Sequence, residues 1–343
     1  MKYFNSDYTE GMTPEILDRM VATNMEQSSG YGEDKYTKSA ARKIKEACQV
    51  DGDVHLLVGG TQTNLTLISS ALRPHQAVIS ADSGHINVHE SGAIENCGHK
   101  VVALPSSDGK ITAAQVRLVY DEHQADESKI HTVQPKMVYI SNPTEWGTTY
   151  SKVELEELYT ACQKMDLIFY IDGARLAYGL ADTENEMDLP FIANHCDALY
   201  IGGTKCGAMF GEALVLIKDE LKPDFSYLVK QKGALLAKGR MLGLQFDTLF
   251  TDGLYERLGQ HGVAMAQIIR AACHKAGYDF LVATANNQIF PIIPKAKLNE
   301  LKDKYSFMGM GEVSSGYEAV RFCTSWATKV ADVTQLASDL QNN

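Results

Sequence analysis

A lysine and an aspartate, each at the end of an apolar run, are the residues around which a reaction can be built. Asp172 closes the run Leu167 to Ile171 in LIFYIDGAR, and Lys205 follows Ala198 to Ile201 in DALYIGGTKCGAMFG, 33 positions after the aspartate. Continuous apolar runs of this length, rich in β-branched and aromatic residues, read as buried strands. Both polar residues then stand where strands open, the place at which open α/β sheets bind ligands, so they can face one crevice. An amine there can form a Schiff base with an aldehyde cofactor. A buried carboxylate can keep a pyridine nitrogen protonated and so make its ring an electron sink. Those two uses belong together in a pyridoxal-phosphate enzyme.

Three further groups could serve such a site. Gly59, Gly60 and Thr61 stand between an apolar strand and a helix, where backbone N–H groups and the helix N-terminus can hold a phosphate and Thr61 adds a hydroxyl. The plainer reading is a tight turn with Thr61 as N-cap. The loop has neither the GK[ST] ending of a nucleotide P-loop nor the GxGxxG order of a dinucleotide site, so a phosphate without a nucleotide fits it better. Arg175 follows Asp172 in DGAR and can reach a carboxylate or phosphate with its forked donors. Alternatively the aspartate caps a turn and the arginine lies on the surface. Lys205 is approached through Gly202, Gly203 and Thr204, and glycines let the backbone come close to a ligand. His85 and His89, four apart, belong on one face of a helix beginning near Gly84, with Glu90 adjacent. That spacing can bind zinc, but the order is neither HExxH nor HxxEH and no third ligand is evident. An imidazole lying over a planar ring is the better use of His85, and packing that of His89.

The elements that must position these residues alternate between strand-like and helix-like segments, the pattern of helices packed on a largely parallel sheet. Seven strand candidates appear: VHLLV, HQAVISA, KVVALP, KMVYIS, LIFYID, ALYIGG and EALVLIK. After Gly243 the pattern changes to one long helix, roughly Leu254 to Ala276, followed by QIFPIIP, KAKLNELKDKY and AVRFCTS. We therefore expect a large α/β domain over residues 1–246 and a small α+β domain over 247–343. At 343 residues, two domains are the default. A net charge of −11, with no basic block, argues against nucleic acid and for small metabolites. Seven cysteines at irregular spacing, without a CxxC, look like scattered reduced thiols and favour the cytoplasm. The N-terminus lacks an apolar signal region, and no stretch approaches the roughly 20 apolar residues a membrane span needs, so no membrane contact is expected.

The segments NSDY, YGEDKYT, GGTQTN, GHINVHESGAIE, DGARLA, GGTKCGAMFG and AVRFCTS occur here in the order found in the threonine aldolase and β-eliminating lyase group. The chain resembles that group over nearly its whole length. The resemblance implies the aspartate aminotransferase-like fold type I of pyridoxal-phosphate enzymes and homodimers or homotetramers with shared active sites. It also implies cleavage of L-threonine-like β-hydroxy-α-amino acids to glycine and an aldehyde. It assigns Lys205 to the cofactor aldehyde, Asp172 to the pyridine nitrogen, Gly60 and Thr61 to the phosphate, and His85 to the ring face. Ser6, Arg175 and Arg321 match positions that hold the substrate carboxylate, Tyr31 one that reaches in from a partner subunit, and Thr204 adds a phosphate contact. One of Lys232, Lys238 and Arg240 is expected to reach the phosphate of a neighbouring subunit. The chain departs from the group at PTEWGTTY, where Glu145 stands in about the place of a second histidine that handles the substrate hydroxyl. Glu145, His85 or an ordered water is then the candidate base. A β-eliminating lyase or an aminotransferase would keep the cofactor and release a keto acid; a non-catalytic binding protein would consume no amino acid.

Overall fold

In the computed structural model, which describes residues 1–342, the seven apolar runs form one sheet. After a two-residue strand β1 (Lys2–Tyr3) come β2 (Asp53–Leu57), β3 (Gln76–Ala81), β4 (Val101–Leu104), β5 (Gln134–Ser141), β6 (Ile168–Gly173), β7 (Ala198–Gly202) and β8 (Glu212–Leu216). The sheet order is β2-β8-β7-β6-β5-β3-β4. Only β8 runs against its neighbours, antiparallel to both β2 and β7. Helices cover both faces, which is why β3, β6, β7 and β8 are buried at every residue and read as unbroken apolar runs rather than alternating ones.

Alternation within the strands sends their residues into two cores. Val138, Phe169, Ile171, Leu199 and Ile201 join one cluster, and Tyr139, Tyr170, Tyr200 and Leu214 the other. Because side chains repeat every second residue, Asp172 lies on the tyrosine face, paired in register with Ser141 on one side and Tyr200 on the other. The order reverses at β3, which has β4 on one flank and β5 on the other. The crevice between the ends of β3 and β5 is therefore a topological switch point, the expected place for a ligand.

The C-terminal residues build a second layer. The helix Leu254–Lys275 leads into β9 (Gln288–Ile289), β10 (Ile292–Pro294), β11 (Tyr305–Ser306), β12 (Met308–Ser314) and β13 (Tyr317–Cys323). Strands β10, β13 and β12 form an antiparallel sheet, with β9 also paired to β13. Ile269, Ile289, Phe322 and Leu336 make its core. We keep the division near residue 246 as a proposal. The chain start crosses that division, since β1 pairs with β11 and Phe4 joins the C-terminal core. Residue 246 itself lies inside the helix Arg240–Leu249, so the turn at 250–253 is the natural break.

One expected helix is not continuous. GHINVHESGAIENC forms two single turns, His85–Val88 and Ala93–Asn96, separated where Ser91 and Gly92 adopt positive φ. His89 is the C-cap of the first turn rather than a member of a longer helix face, although its ring still lies 5.6 Å from that of His85. Among the described residues, no helix is long and apolar enough to cross a membrane.

Candidate active site

One cavity of about 300 Å³ gathers Gly60, Thr61, His85, Glu145, Asp172, Arg175, Thr204 and Lys205, residues scattered over 146 positions of sequence (60 to 205). Each is delivered by the end of a strand. Gly60 and Thr61 follow β2, His85 follows β3, Glu145 follows β5, Arg175 follows β6, and Thr204 with Lys205 follows β7.

Asp172 is 4% exposed and held by three donors. Its Oδ2 accepts from the Tyr139 hydroxyl at 2.8 Å and the Asn64 amide at 3.1 Å, and its Oδ1 from the Ala174 N–H at 2.9 Å. Burial first, and then the charge of Asp172, push the Tyr139 phenol well above its ordinary range, so it remains a donor. Asn64 is fixed from behind by the Tyr170 hydroxyl at 2.7 Å and gives a second hydrogen to Glu90. Glu90 in turn sits 2.8 Å from His85 Nδ1. The imidazole at the cavity wall is thus tied to Asp172 through two buried side chains.

Glu145 closes the ring of contacts from the other side. Its Oε1 accepts from the Ser141 hydroxyl at 2.6 Å and from the His85 N–H at 2.9 Å. Ser141 lies 3.1 Å from the Tyr139 hydroxyl, which leads back to Asp172. Burial raises the Glu145 carboxyl above its ordinary range; the Ser141 bond opposes this and the Asp172 charge adds to it.

The helix Gly60–Ala71 begins at the cavity with Gly59 as N-cap and no side chain bonded to its first turn. Thr61 is inside that turn, not its cap. A Cβ on Gly60 would stand 2.9 Å from the Tyr200 hydroxyl, so only glycine leaves this corner open. An uncapped helix start, a buried carboxylate held by neutral donors and a lysine on one wall suit the phosphate, the pyridine nitrogen and the aldehyde of pyridoxal phosphate respectively.

Arg175 is not a surface residue. Its Nε and Nη2 donate to Asp7 at 2.7 and 3.1 Å, and the side chains are 12% and 0% exposed. Burial favours the neutral Asp7 carboxyl, but Arg175 and then Lys205 outweigh it and hold the group below its ordinary range. Asn287 adds a third contact to Asp7 at 3.0 Å. Removing Asp7 leaves a buried guanidinium uncompensated, and Asp7→Ala is expected to cost about 3–5 kcal/mol. Urea unfolding of the variant against wild type measures this, and a loss under about 1 kcal/mol contradicts the pairing as described.

The remaining sequence-predicted residues do not line the cavity. Ser6 is buried beside Asp7. Arg321, on β13, donates to the Asn5 carbonyl at 3.0 Å and reaches Gln288 at 3.3 Å, while its buried Nε has no partner. Tyr31 is half exposed in an apolar hollow with Tyr227 and Leu235. Lys232 lies 3.5 Å from Cys97 Sγ, Lys238 is exposed, and Arg240 binds the carbonyls of Thr23 and Glu26. Thr204 lines the cavity, but its hydroxyl donates to Glu212 at 2.7 Å. Strand alternation through Asp172 alone places Tyr170 on its face; sheet register adds Tyr139, Tyr200 and Glu212, and the helix Gly60–Ala71 brings Asn64, none of which sequence spacing points to.

Fold and site define a pyridoxal-phosphate enzyme of the aspartate aminotransferase-like architecture, an assignment matched at the level of fold by an aspartate aminotransferase of Thermus thermophilus (TM-score 0.71, 13% identity, 99% of this chain and 90% of that one). More narrowly, the chain belongs to the β-eliminating lyase family, whose model matches residues 4–336. It is 31% identical to the low specificity L-threonine aldolase of Pseudomonas sp. (strain NCIMB 10558), over 98% of this chain and 96% of that protein. The solved structure of Leishmania major threonine aldolase superposes with a TM-score of 0.96 at 44% identity, covering 99% of both chains. The family is one of pyridoxal-phosphate-dependent lyases.

Proposed function

We propose that the chain cleaves L-threonine, allo-threonine and similar β-hydroxy-α-amino acids to glycine and an aldehyde. The observation that carries this reading is the Glu145 carboxylate, held across the switch-point crevice by the His85 backbone N–H and lining one cavity with Lys205, Asp172 and His85. It sets proton acceptors beside a site built to withdraw electrons, which is what cleavage next to a hydroxyl requires.

Lys205 would hold the cofactor covalently and Asp172 would keep its ring nitrogen charged. The first N–H groups of the helix at Gly60 and Thr61 would take its phosphate, with Thr204 beside them, and His85 would pack against the ring. When bound, pyridoxal phosphate supplies a cationic ring that accepts the electron pair of the breaking bond. Arg175, aimed by Asp7, would fix the substrate carboxylate, whereas Arg321 and Ser6, expected to share that task, lie outside the cavity lining. Fixing the carboxylate would decide which bond at the α-carbon is presented for cleavage. Tyr31, exposed in an apolar hollow, is covered by a second copy in a homodimer or homotetramer. All seven cysteines are free and six are buried, which suits a reducing compartment and supports a cytoplasmic enzyme.

Glu145 accepts the hydroxyl proton as the aldehyde leaves, directly or through water. A base must be ionised to act, and the native Glu145 carboxyl titrates above its ordinary value of 4.5. Activity therefore rises with pH along an acid limb lying above pH 4.5. Glu145→Gln is expected to lower kcat by about 10² to 10⁴ and to remove that limb from the kcat profile. A variant within about threefold of wild type would move the role to His85 or water.

Product analysis tests the whole reading. Glycine and an aldehyde in equal amounts from a panel of β-hydroxy amino acids are expected; ammonia with a keto acid, or no consumption of any amino acid, overturns it.

A further inference from the structure

Glu212 is a charged group at this cavity to which the proposed reaction gives no task. It lies on β8, between Leu57 of β2 and Gly202 of β7, and is 3% exposed. Its side chain reaches the cavity wall beside Lys205 and Thr204. Oε1 accepts from the Thr204 hydroxyl at 2.7 Å and Oε2 from the Gly203 N–H at 2.9 Å. The Tyr200 hydroxyl is close enough to draw the Glu212 carboxyl down as well. That same hydroxyl is the atom against which a Cβ on Gly60 would press. Glu212, Tyr200 and Thr204 therefore back the corner that Gly60 and Thr61 open to a phosphate.

A phosphate brings a charge of about −1.5 to −2 into that corner. Two like charges in one buried site raise the proton affinity of the weaker acid. Glu212 is poised for this, because burial pushes its carboxyl up to about 7, against the pull of the Thr204 and Gly203 bonds and the Lys205 charge. Around it, Tyr170, Tyr200, Tyr255 and Cys206 are all kept neutral by burial, so Lys205 is the cation that favours the ionised form. The helix Arg240–Leu249 brings Leu242 and Phe246 to this side, neither of them charged.

We propose that Glu212 takes a proton from solvent when the cofactor phosphate enters the cradle and returns it when the phosphate leaves. Protonation reverses the hydrogen bond to Thr204. The Thr204 hydrogen is now spent on Glu212 Oε1; a neutral Glu212 donates instead, and the freed Thr204 hydroxyl turns its own hydrogen to a phosphate oxygen. The proton thus removes a repulsion and supplies a donor at once.

This inference rests on the assignment of the phosphate to Gly60 and Thr61, and calorimetry separates the two. The probe is pyridoxamine phosphate, which has no aldehyde and makes no bond to Lys205, added to the full-length protein freed of cofactor. Binding heats in buffers of different ionisation enthalpy give the protons taken up. Wild type at pH near 7.5 is expected to take up on the order of half a proton more than Glu212→Gln. Its affinity is expected to fall by up to about tenfold per pH unit above pH 7, while that of the variant stays nearly flat. The sign follows from a raised carboxyl pKa: the binding-competent protonated form is lost as pH rises. Pyridoxamine, which lacks the phosphate, should draw the same number of protons into both proteins. Tight binding with equal uptake by wild type and variant overturns this proposal alone; failure of pyridoxamine phosphate to bind overturns the phosphate site as well. If Glu212→Gln does not fold, the wild-type comparison of pyridoxamine phosphate with pyridoxamine decides the matter by itself, equal uptake counting against the proposal.

Discussion

Lys205→Ala is expected to fold normally and to lose turnover by about 10⁴ to 10⁶, the scale on which deletion of a covalent nucleophile falls. The fold does not depend on this side chain. The turn that carries it is set by its backbone: the Tyr178 hydroxyl donates to the Lys205 carbonyl at 2.6 Å and itself accepts from the Trp326 N–H. The glycines before it permit close approaches, since a Cβ on Gly202 would collide with Ala174 and one on Gly203 with the Gly211 carbonyl and Phe246. Chemistry alone is then lost. Borohydride treatment of wild type followed by peptide mapping should place the fixed cofactor on Lys205, and the variant should carry none. Lys205→Arg keeps the positive charge beside Asp7 and Glu212 but cannot form the bond, so it separates electrostatic loss from loss of the nucleophile. Activity of Lys205→Ala within about tenfold of wild type, or a label mapped to another lysine, removes Lys205 from the centre of the site.

The two anchors of the site were legible because a polar residue at the end of a buried strand has little else to do. Lys205 and Asp172 each terminate an apolar run, and the run fixes both the strand and the end at which the residue emerges. The seven strands were readable for the same reason. What sequence spacing does not carry is register. Tyr139 and Tyr200 read as ordinary strand aromatics, and only the pairing of β5 with β6 and of β6 with β7 brings them beside Tyr170 on the face that holds Asp172. Asp7 lies 168 positions from the arginine it orients, a contact no local pattern encodes. The helix expected after Gly84 failed for a local reason: its apolar spacing is helical, but Ser91 and Gly92 turn left-handed and break it. That break has a use. A single turn at His85–Val88 lets Glu90 fold back under His85, which a continuous helix would carry past it.

Asp172→Asn should leave substrate binding largely intact and lower kcat by about 10² to 10³ or more, as for loss of a preorganised charge that acts mainly in the transition state. Asparagine keeps the shape and one acceptor oxygen, which serves either Tyr139 and Asn64 together or the Ala174 N–H. Asp172→Ala goes further and leaves all three donors without a partner, adding a stability loss of about 1–3 kcal/mol beyond that of the asparagine variant. The comparison therefore divides charge from structure. A second readout follows from the ring of contacts joining Asp172 to Glu145. The Asp172 charge is among the causes that raise the Glu145 carboxyl, behind burial, so neutralising it should move the acid limb of the residual activity to lower pH. If Asp172→Asn turns over at nearly the wild-type rate with its acid limb in place, the carboxylate is a strand-end scaffold, and the electron sink must be sustained by some other group at the cavity.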